Sequence, residues 1–425
     1  MSILADLMNS LIDRNYLRFS TVELDNRSLE DLIGDLLSAR GEVSGMKMAH
    51  QVLDRYEGFT PDEKKSFFKL LRSRLDIDPK LVRQALDDYE AHPSKAHYAA
   101  FAATAEPKRQ ELIRRLNQTD GATHRLVKMR ADLQKMARQE SDLEVIDKDF
   151  KHLFESWFNR GFLVLRPISW QSPANILEKI IAYEAVHAIN NWDELRRRLA
   201  PADRRCFAFF HPAMADEPLI FVEVALTKGI PSSIQSVLES DRSETPPKQA
   251  DTAVFYSISN CQAGLAGISF GNSLIKQVVT DLSRSLPNLK NFVTLSPLPG
   301  FRKWAKSCDR EEELLVSEQA RALAAEYLLL AKGTGFLPLD PVARFHLGNG
   351  ALIEAIHSQA DLSDNGVAQS GSVMVNYLYD LGRLTANVEK YSSLQEVTAS
   401  TSVKTLARQA QKRLETQTSR KSIHA

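Results

Sequence analysis

Residues 253–279, AVFYSISNCQAGLAGISFGNSLIKQVV, constrain this chain most. An apolar strand over 254–259 runs into a small-residue turn at 260–267. A helix with Leu274, Ile275, Val278 and Val279 at helical spacing follows. A strand that feeds a glycine turn and a helix N-terminus offers unpaired backbone N–H groups and the positive end of a helix dipole. Glycine lets such a backbone approach an anion closely. The stretch suits a diphosphate-bearing ligand. Close packing of strand against helix accounts for the same glycines equally well.

The rest of the chain supplies two kinds of surroundings for this unit. Residues 1–160 read as helices. Leu29, Leu32, Ile33, Leu36 and Leu37 recur at helical spacing, and Thr60-Pro61-Asp62-Glu63 is a capping box with proline at the first helical position. Asp78-Pro79 opens another helix, residues 114–138 form a long, charged, amphipathic stretch, and Phe150, Leu153, Phe154, Trp157 and Phe158 load a further segment. This half is expected to be an all-α bundle. From residue 161 strands and helices alternate, with apolar strands at 162–165, 206–210, 219–226, 254–259, 292–296 and 373–379. Residues 161–400 are therefore expected to form an α/β or α+β domain, and 401–425 a polar, basic segment that is a frayed helix or tail.

Charge and cysteine content narrow the function classes. The 54 basic and 54 acidic residues of the 425 cancel, which removes the simplest argument for a nucleic-acid partner. Cys206, Cys261 and Cys308 are far apart, lack zinc spacing and suit a reducing compartment. No apolar run approaches the ~20 residues of a membrane span, and the N-terminus lacks a secretory pattern. No membrane association and a cytoplasmic location are expected.

Two polar residues stand out by context. Ser257 interrupts an apolar strand at the end that carries the glycine turn, and His346 reads as part of an irregular loop followed by Gly348 and Gly350. On sequence alone a core hydroxyl and a structural loop histidine are the readings to beat, because sequence gives no distance between the two residues. No His-Glu-x-x-His or paired Cys/His arrangement occurs, so no metal site is expected.

The chain resembles the malonyl-CoA decarboxylase family through SWFNRGFL at 156–163, EAVH at 184–187, NW at 191–192, RRC at 204–206, EPL at 217–219, VALT at 224–227, FYSIS at 255–259, GLAG at 264–267, LSPLPGF at 295–301, ARFH at 343–346 and VNYLY at 375–379. The resemblance implies an N-terminal helical domain that assembles the protein, here residues 1–160, as a homotetramer. It implies a catalytic domain over 161–400 similar to Gcn5-type acetyltransferases, which bind acyl-CoA at a strand–loop–helix. The acetyltransferase loop pattern, Gln/Arg-x-x-Gly-x-Gly/Ala, is met in part: Cys261 stands where Gln/Arg is expected, ahead of Gly264 and Ala266, and Gln262 is one place off. The resemblance places the family's catalytic serine and histidine on Ser257 and His346. It puts the substrate-binding loop on Gly229, Ile230, Pro231, Ser232, Ser233, Ile234 and Gln235, and a site tyrosine on Tyr379. Gln262, Gly264 and Gly267 belong to the acyl-CoA loop.

The implied reaction takes malonyl-CoA to acetyl-CoA and carbon dioxide through a thioester enolate. That chemistry needs a carboxylate held out of the thioester plane, donors for the enolate oxygen and a proton for the α-carbon. It requires no cofactor. Ser257 is expected to hydrogen-bond the malonyl group, and His346 to donate the proton or to pair with Ser257. An acyl-CoA-dependent acyltransferase and a non-catalytic acyl-CoA-binding regulator are the alternatives the same fold allows.

Overall fold

The structure, a computed structural model, describes residues 27–38, 41–268 and 274–423. The chain divides into two compact units, one of residues 1–122 with 140–146, the other of 123–139 with 147–425.

The first unit is helical. Thr60 N–H donates to Glu63 Oε2 at 2.8 Å, and Glu63 N–H donates back to Thr60 Oγ1 at 3.4 Å, so the capping box starts the helix Pro61–Arg74. Asp78 caps the helix Pro79–Ala91 by accepting the Lys80 N–H at 2.9 Å. Its core buries Leu32, Ile33, Leu36, Val52, Leu53, Phe67, Phe68 and Leu71, and Tyr56 meets both phenylalanine rings. The charged stretch 114–138 divides between two helices. Lys108–Leu116 and Ala122–Ala137 are separate, and Gly121 between them takes φ +66°, which ends helical geometry.

The second unit is a mixed sheet with helices on both faces. Its strands are β1 (Val164–Ile168), β2 (Arg204–Phe210), β3 (Ile220–Thr227), β4 (Thr252–Asn260), β5 (Asn291–Thr294), β6 (Ser296–Pro297), β7 (Leu352–His357) and β8 (Met374–Leu378). They run in the order β1-β2-β3-β4-β5-β8-β6, with β7 also on β8. Among the described strands, β4 and β5 alone pair in parallel, because the helix Leu274–Ser285 crosses over between them. One face buries Leu274, Ile275, Val278 and Val279 of that helix against Phe207, Val222, Val224 and Phe255. Each such side chain contributes about 1.5–3 kcal/mol. The other face packs Ile176, Leu177 and Ile180 of the helix Ala174–Tyr183 on Cys206, Ala208, Phe210 and Phe221.

Two sequence expectations change and one is narrowed. His346 is not in a loop: Asp340 accepts the Ala343 N–H at 2.8 Å, Pro341 takes the first turn, and the helix Pro341–Gly348 carries the histidine. Of the two forms open to the C-terminal segment the helix is present, Thr401–Ile423, and it is docked rather than a free tail, with Val403, Ala407 and Ala410 buried. The helix Ala122–Ala137 belongs to the sheet unit although its sequence reads like the helices before it.

Candidate active site

The site grows from a fork in the sheet. β4 and β5 pair from Thr252–Asn291 to Phe255–Thr294, and Leu295 N–H makes a last bond to Phe255 O at 3.0 Å. Beyond this point β4 stays with β3, while the chain after β5 turns to β8 as β6. Between the two arms lies a cavity of about 250 Å³, lined by Tyr256, Ile258 and Asn260 from one arm, Ser296 and Pro297 from the other, and Phe345 and His346 from the helix Pro341–Gly348. A second cavity of about 320 Å³ shares Asn260 and Phe345 with it and runs along Gln262, Ala263, Ala266 and Gly267 of the glycine turn to Arg344.

His346 is 3% exposed, and its two ring nitrogens are both engaged. Nδ1 lies 2.8 Å from the Tyr379 hydroxyl, and Nε2 lies 3.1 Å from Ser296 Oγ. Ser296 spends its own proton on Thr294 Oγ1 at 2.9 Å, so it accepts from His346. Burial pushes the Tyr379 phenol up, so it keeps its proton and donates to Nδ1. Both neighbours therefore assign the ring proton to Nε2, the nitrogen at the cavity. Burial pushes the imidazole down to about 3, which makes it neutral near pH 7. Tyr377 stacks on the ring with centroids 4.5 Å apart and fixes its plane.

Ser257 is not His346's partner. Its hydroxyl donates to Glu184, 2.9 Å and 2.7 Å from the two carboxylate oxygens. A register shift beside Glu223 and Val224 is the cause: Val224 faces Phe255 and Glu223 faces Ser257, which leaves Tyr256 as an extra residue in β4. The bulge puts Ser257 on the side of Glu223 and Ile258 on the side of Phe255, whereas strict alternation puts Phe255 and Ser257 on one face. Ser257 thus sits between two cavity-lining residues, Tyr256 and Ile258, with its hydroxyl turned to Glu184.

The glycine turn is built differently from its sequence reading. A Cβ on Gly264 would stand 1.8 Å from the Val127 carbonyl oxygen, so this glycine is required by the helix Ala122–Ala137. From the same helix the buried Arg130 donates to Gly264 O at 2.7 Å and Ala266 O at 3.1 Å, and Asp147 holds its guanidinium at 2.8 Å. Gly267 takes φ +75° with open space around it. Gln262 Nε2 donates to Pro218 O at 3.0 Å. The expected anion site at the following helix N-terminus includes residues 269–273, which lie outside the described residues.

Residues 229–235 lie apart from both cavities. Gly229 takes φ +75°, and its N–H donates to Asp251 at 2.7 Å. The Ile234 N–H donates to Ala360 O at 2.8 Å, and Ser233 caps the short helix Ile234–Leu238. Gln235 Nε2 lies 3.4 Å from Gln359 O. Ile230, Pro231 and Ser232 line neither cavity. Among the described residues no group of three His, Cys, Asp or Glu side chains is arranged to hold a metal. No described helix is long and apolar enough to cross a membrane.

Of the residues expected at the site, His346 and Tyr379 are hydrogen-bonded to each other while Ser257 turns to Glu184; their partners Ser296 and Glu184, and Arg130 behind the glycine turn, were not expected. Glu184 and Ser296 stand inside the EAVH and LSPLPGF motifs, and that was the available signal. Arg130 had none, because its acceptors are 134 and 136 residues away.

Residues 161–324 and 309–417 match the family described as malonyl-CoA decarboxylase C-terminal domain, and residues 75–158 match the malonyl-CoA decarboxylase N-terminal domain. The mitochondrial malonyl-CoA decarboxylase of Anser anser anser is 36% identical over 356 residues, 72% of this chain and 70% of that protein. A crystal structure of malonyl-CoA decarboxylase from Rhodopseudomonas palustris superposes with a TM-score of 0.84 at 48% identity, covering 88% of this chain and 98% of that one. One from Agrobacterium vitis gives 0.83 at 48% identity, over 89% and 99%.

Proposed function

Because the chain belongs to the malonyl-CoA decarboxylase family, we propose that it converts malonyl-CoA to acetyl-CoA and carbon dioxide. The observation that carries this reading is the neutral His346, with its Nε2–H at a cavity in the fork of β4 and β5. The thioester end of the substrate occupies that cavity. Its pantetheine arm follows the second cavity past Asn260 to the glycine turn, and Arg344 brings positive charge to that end.

Cleavage of the malonyl C–C bond sends its electron pair into the thioester, and negative charge grows on the thioester oxygen. A fixed N–H donor in a water-poor cavity stabilises that charge more than it stabilises the substrate. His346 supplies this donor by exchanging Ser296 for the oxygen. Tyr379 keeps the tautomer in place during the exchange, and Tyr377 keeps the ring plane. Carbon dioxide leaves, the α-carbon takes one proton, and acetyl-CoA results. That proton comes from solvent in the end, since His346 is neutral and holds only the Nε2 proton. Ser257, the other residue the resemblance assigns to the malonyl group, directs its hydroxyl to Glu184 in the free protein.

The helices Pro79–Ala91 and Lys95–Ala105 support self-association into a homotetramer. Neither buries a residue in its own unit, and Leu81, Leu86 and Tyr98 are exposed. The unpaired, buried Cys206 and Cys261 suit a reducing cytosol. Incubation with malonyl-CoA and no acceptor tests the activity. Acetyl-CoA appears if the reading is right; an acyltransferase leaves malonyl-CoA intact until an acceptor is added.

A further inference from the structure

The fork cavity has neutral walls. Val186, Ile258, Pro297 and Val342 present hydrocarbon to it, and Phe345 an aromatic ring. Its polar groups are uncharged. His346 is neutral, with Ser296 on its Nε2. Asn260 is an amide at the junction with the second cavity. Burial, and after it the Glu223 carboxylate, pushes the Tyr256 phenol well up, so that hydroxyl keeps its proton and leans towards β3. The cations around the cavity are turned elsewhere. Arg344, in the second cavity, donates to Pro338 O and Leu339 O, each at 2.8 Å. Arg198 clamps the segment after Val186 through His187 O at 2.7 Å, and its other end bonds Glu223 Oε2 at 3.0 Å. Beside Val186 stands a carboxylate: Glu184 Oε1 accepts the Val186 N–H at 2.8 Å, and Oε2 accepts the Ser257 hydroxyl at 2.7 Å. Among the described residues no lysine or arginine lines the fork cavity, and residues 269–273, Ser-Phe-Gly-Asn-Ser, carry no charged side chain.

A site that binds a malonyl group in order to keep it, as acyl transfer requires, gains from a bidentate arginine on the malonyl carboxylate. A decarboxylase loses by the same contact. The charge starts on the carboxylate and ends on the thioester oxygen, while the carboxyl carbon departs as neutral carbon dioxide. A cation on the carboxylate would stabilise the substrate more than the transition state and raise the barrier between them. Neutral walls leave the carboxylate unpaired, and the directed donor, His346 Nε2, waits at the thioester oxygen, where the charge arrives. Binding is then left to the coenzyme arm and the thioester.

We infer that the subsite for the reacting carboxylate is cation-free: the protein selects malonyl-CoA by its coenzyme arm and thioester, and leaves the carboxylate without a counter-ion until its charge has moved. The inference rests on the decarboxylase reading above. Competition against malonyl-CoA turnover by the wild-type protein tests it with three thioesters that cannot decarboxylate: acetyl-CoA, sulfoacetyl-CoA and tert-butylacetyl-CoA. The last two put groups of one shape where the carboxylate goes, a sulfonate anion and its neutral counterpart. The expected inhibition constant of sulfoacetyl-CoA is about 10-fold above that of tert-butylacetyl-CoA, because the anion leaves water without a partner, and it is no lower than that of acetyl-CoA. A sulfoacetyl-CoA constant below that of either neutral compound overturns the inference, since a counter-ion would then be holding the anion. A wild-type protein that makes no acetyl-CoA from malonyl-CoA overturns the decarboxylase reading instead, and the inference with it.

Discussion

The phenol of Tyr379 lies 2.8 Å from Nδ1 of His346, and this contact decides which ring nitrogen carries the proton. With Nδ1 occupied as acceptor, Nε2 is left to donate, and Nε2 is the nitrogen beside Ser296 at the cavity. Tyr379→Phe removes the contact and keeps the ring that meets Phe255. Losing one buried hydrogen bond costs about 1–3 kcal/mol. The expected outcome is a kcat roughly 10- to 100-fold lower with KM little changed, read from steady-state rates on malonyl-CoA. An unchanged kcat removes Tyr379 from the site.

Gly264 and Gly267 separate two roles that look alike in sequence. Gly264→Ala forces a Cβ against the Val127 carbonyl and should lower the melting temperature sharply, because the obstacle is backbone. Gly267→Ala meets no atom but must hold φ +75°, which costs roughly 1–2 kcal/mol. Thermal melts of both variants check the ordering. A Gly264→Ala protein that melts normally but binds acetyl-CoA weakly returns that glycine to ligand contact.

Much of this was legible in the sequence. The strands showed as apolar runs, and Thr60-Pro61 and Asp78-Pro79 marked helix starts because caps are local. Asp340-Pro341 carries the same mark for the His346 helix. Gly348 and Gly350 behind it suggest a loop, yet Gly348 closes the helix and Gly350, at φ +89°, turns the chain into β7. The fork was not legible. It depends on which strand pairs with which beyond Phe255, and register between distant strands leaves no local trace. The bulge that parts Ser257 from His346 is one residue in an apolar run, with nothing in composition to reveal it. The helix Ala122–Ala137 shows the same limit: sequence reports that a segment is helical, and only Arg130 and Gly264 report what it packs on.

Asp340, fully buried at the start of the His346 helix, gives the protein a pH dependence of known sign. Burial raises its carboxyl from 3.8 to about 6. Below pH ~4 the folded and unfolded chains both hold the proton; between ~4 and ~6 the unfolded chain releases it first, so stability falls as pH rises and then levels. The shift corresponds to roughly 3 kcal/mol at ~1.36 kcal/mol per unit. Asp340→Asn keeps the cap and removes the titration. The stability of wild type relative to Asp340→Asn should therefore fall between pH 4 and 6 in urea melts. A pH-independent difference contradicts the assignment.

Assembly is tested on the exposed hairpin. Leu81 and Tyr98 are 55% and 58% exposed, so charging them should leave the fold intact. Leu81→Glu with Tyr98→Glu should lower the mass seen by light scattering below that of wild type, with the circular dichroism spectrum unchanged. An unchanged mass places the interface elsewhere.

The central claim is that the fork holds a decarboxylase site whose enolate is met by His346. The most direct measurement is kcat for acetyl-CoA formation from malonyl-CoA alone, wild type against His346→Asn, both shown folded by thermal melts. The account predicts turnover by wild type with one carbon dioxide per acetyl-CoA, and a kcat ~10²–10⁴-fold lower in His346→Asn at similar KM. Absence of acetyl-CoA with wild type, or a near-normal kcat in folded His346→Asn, contradicts it.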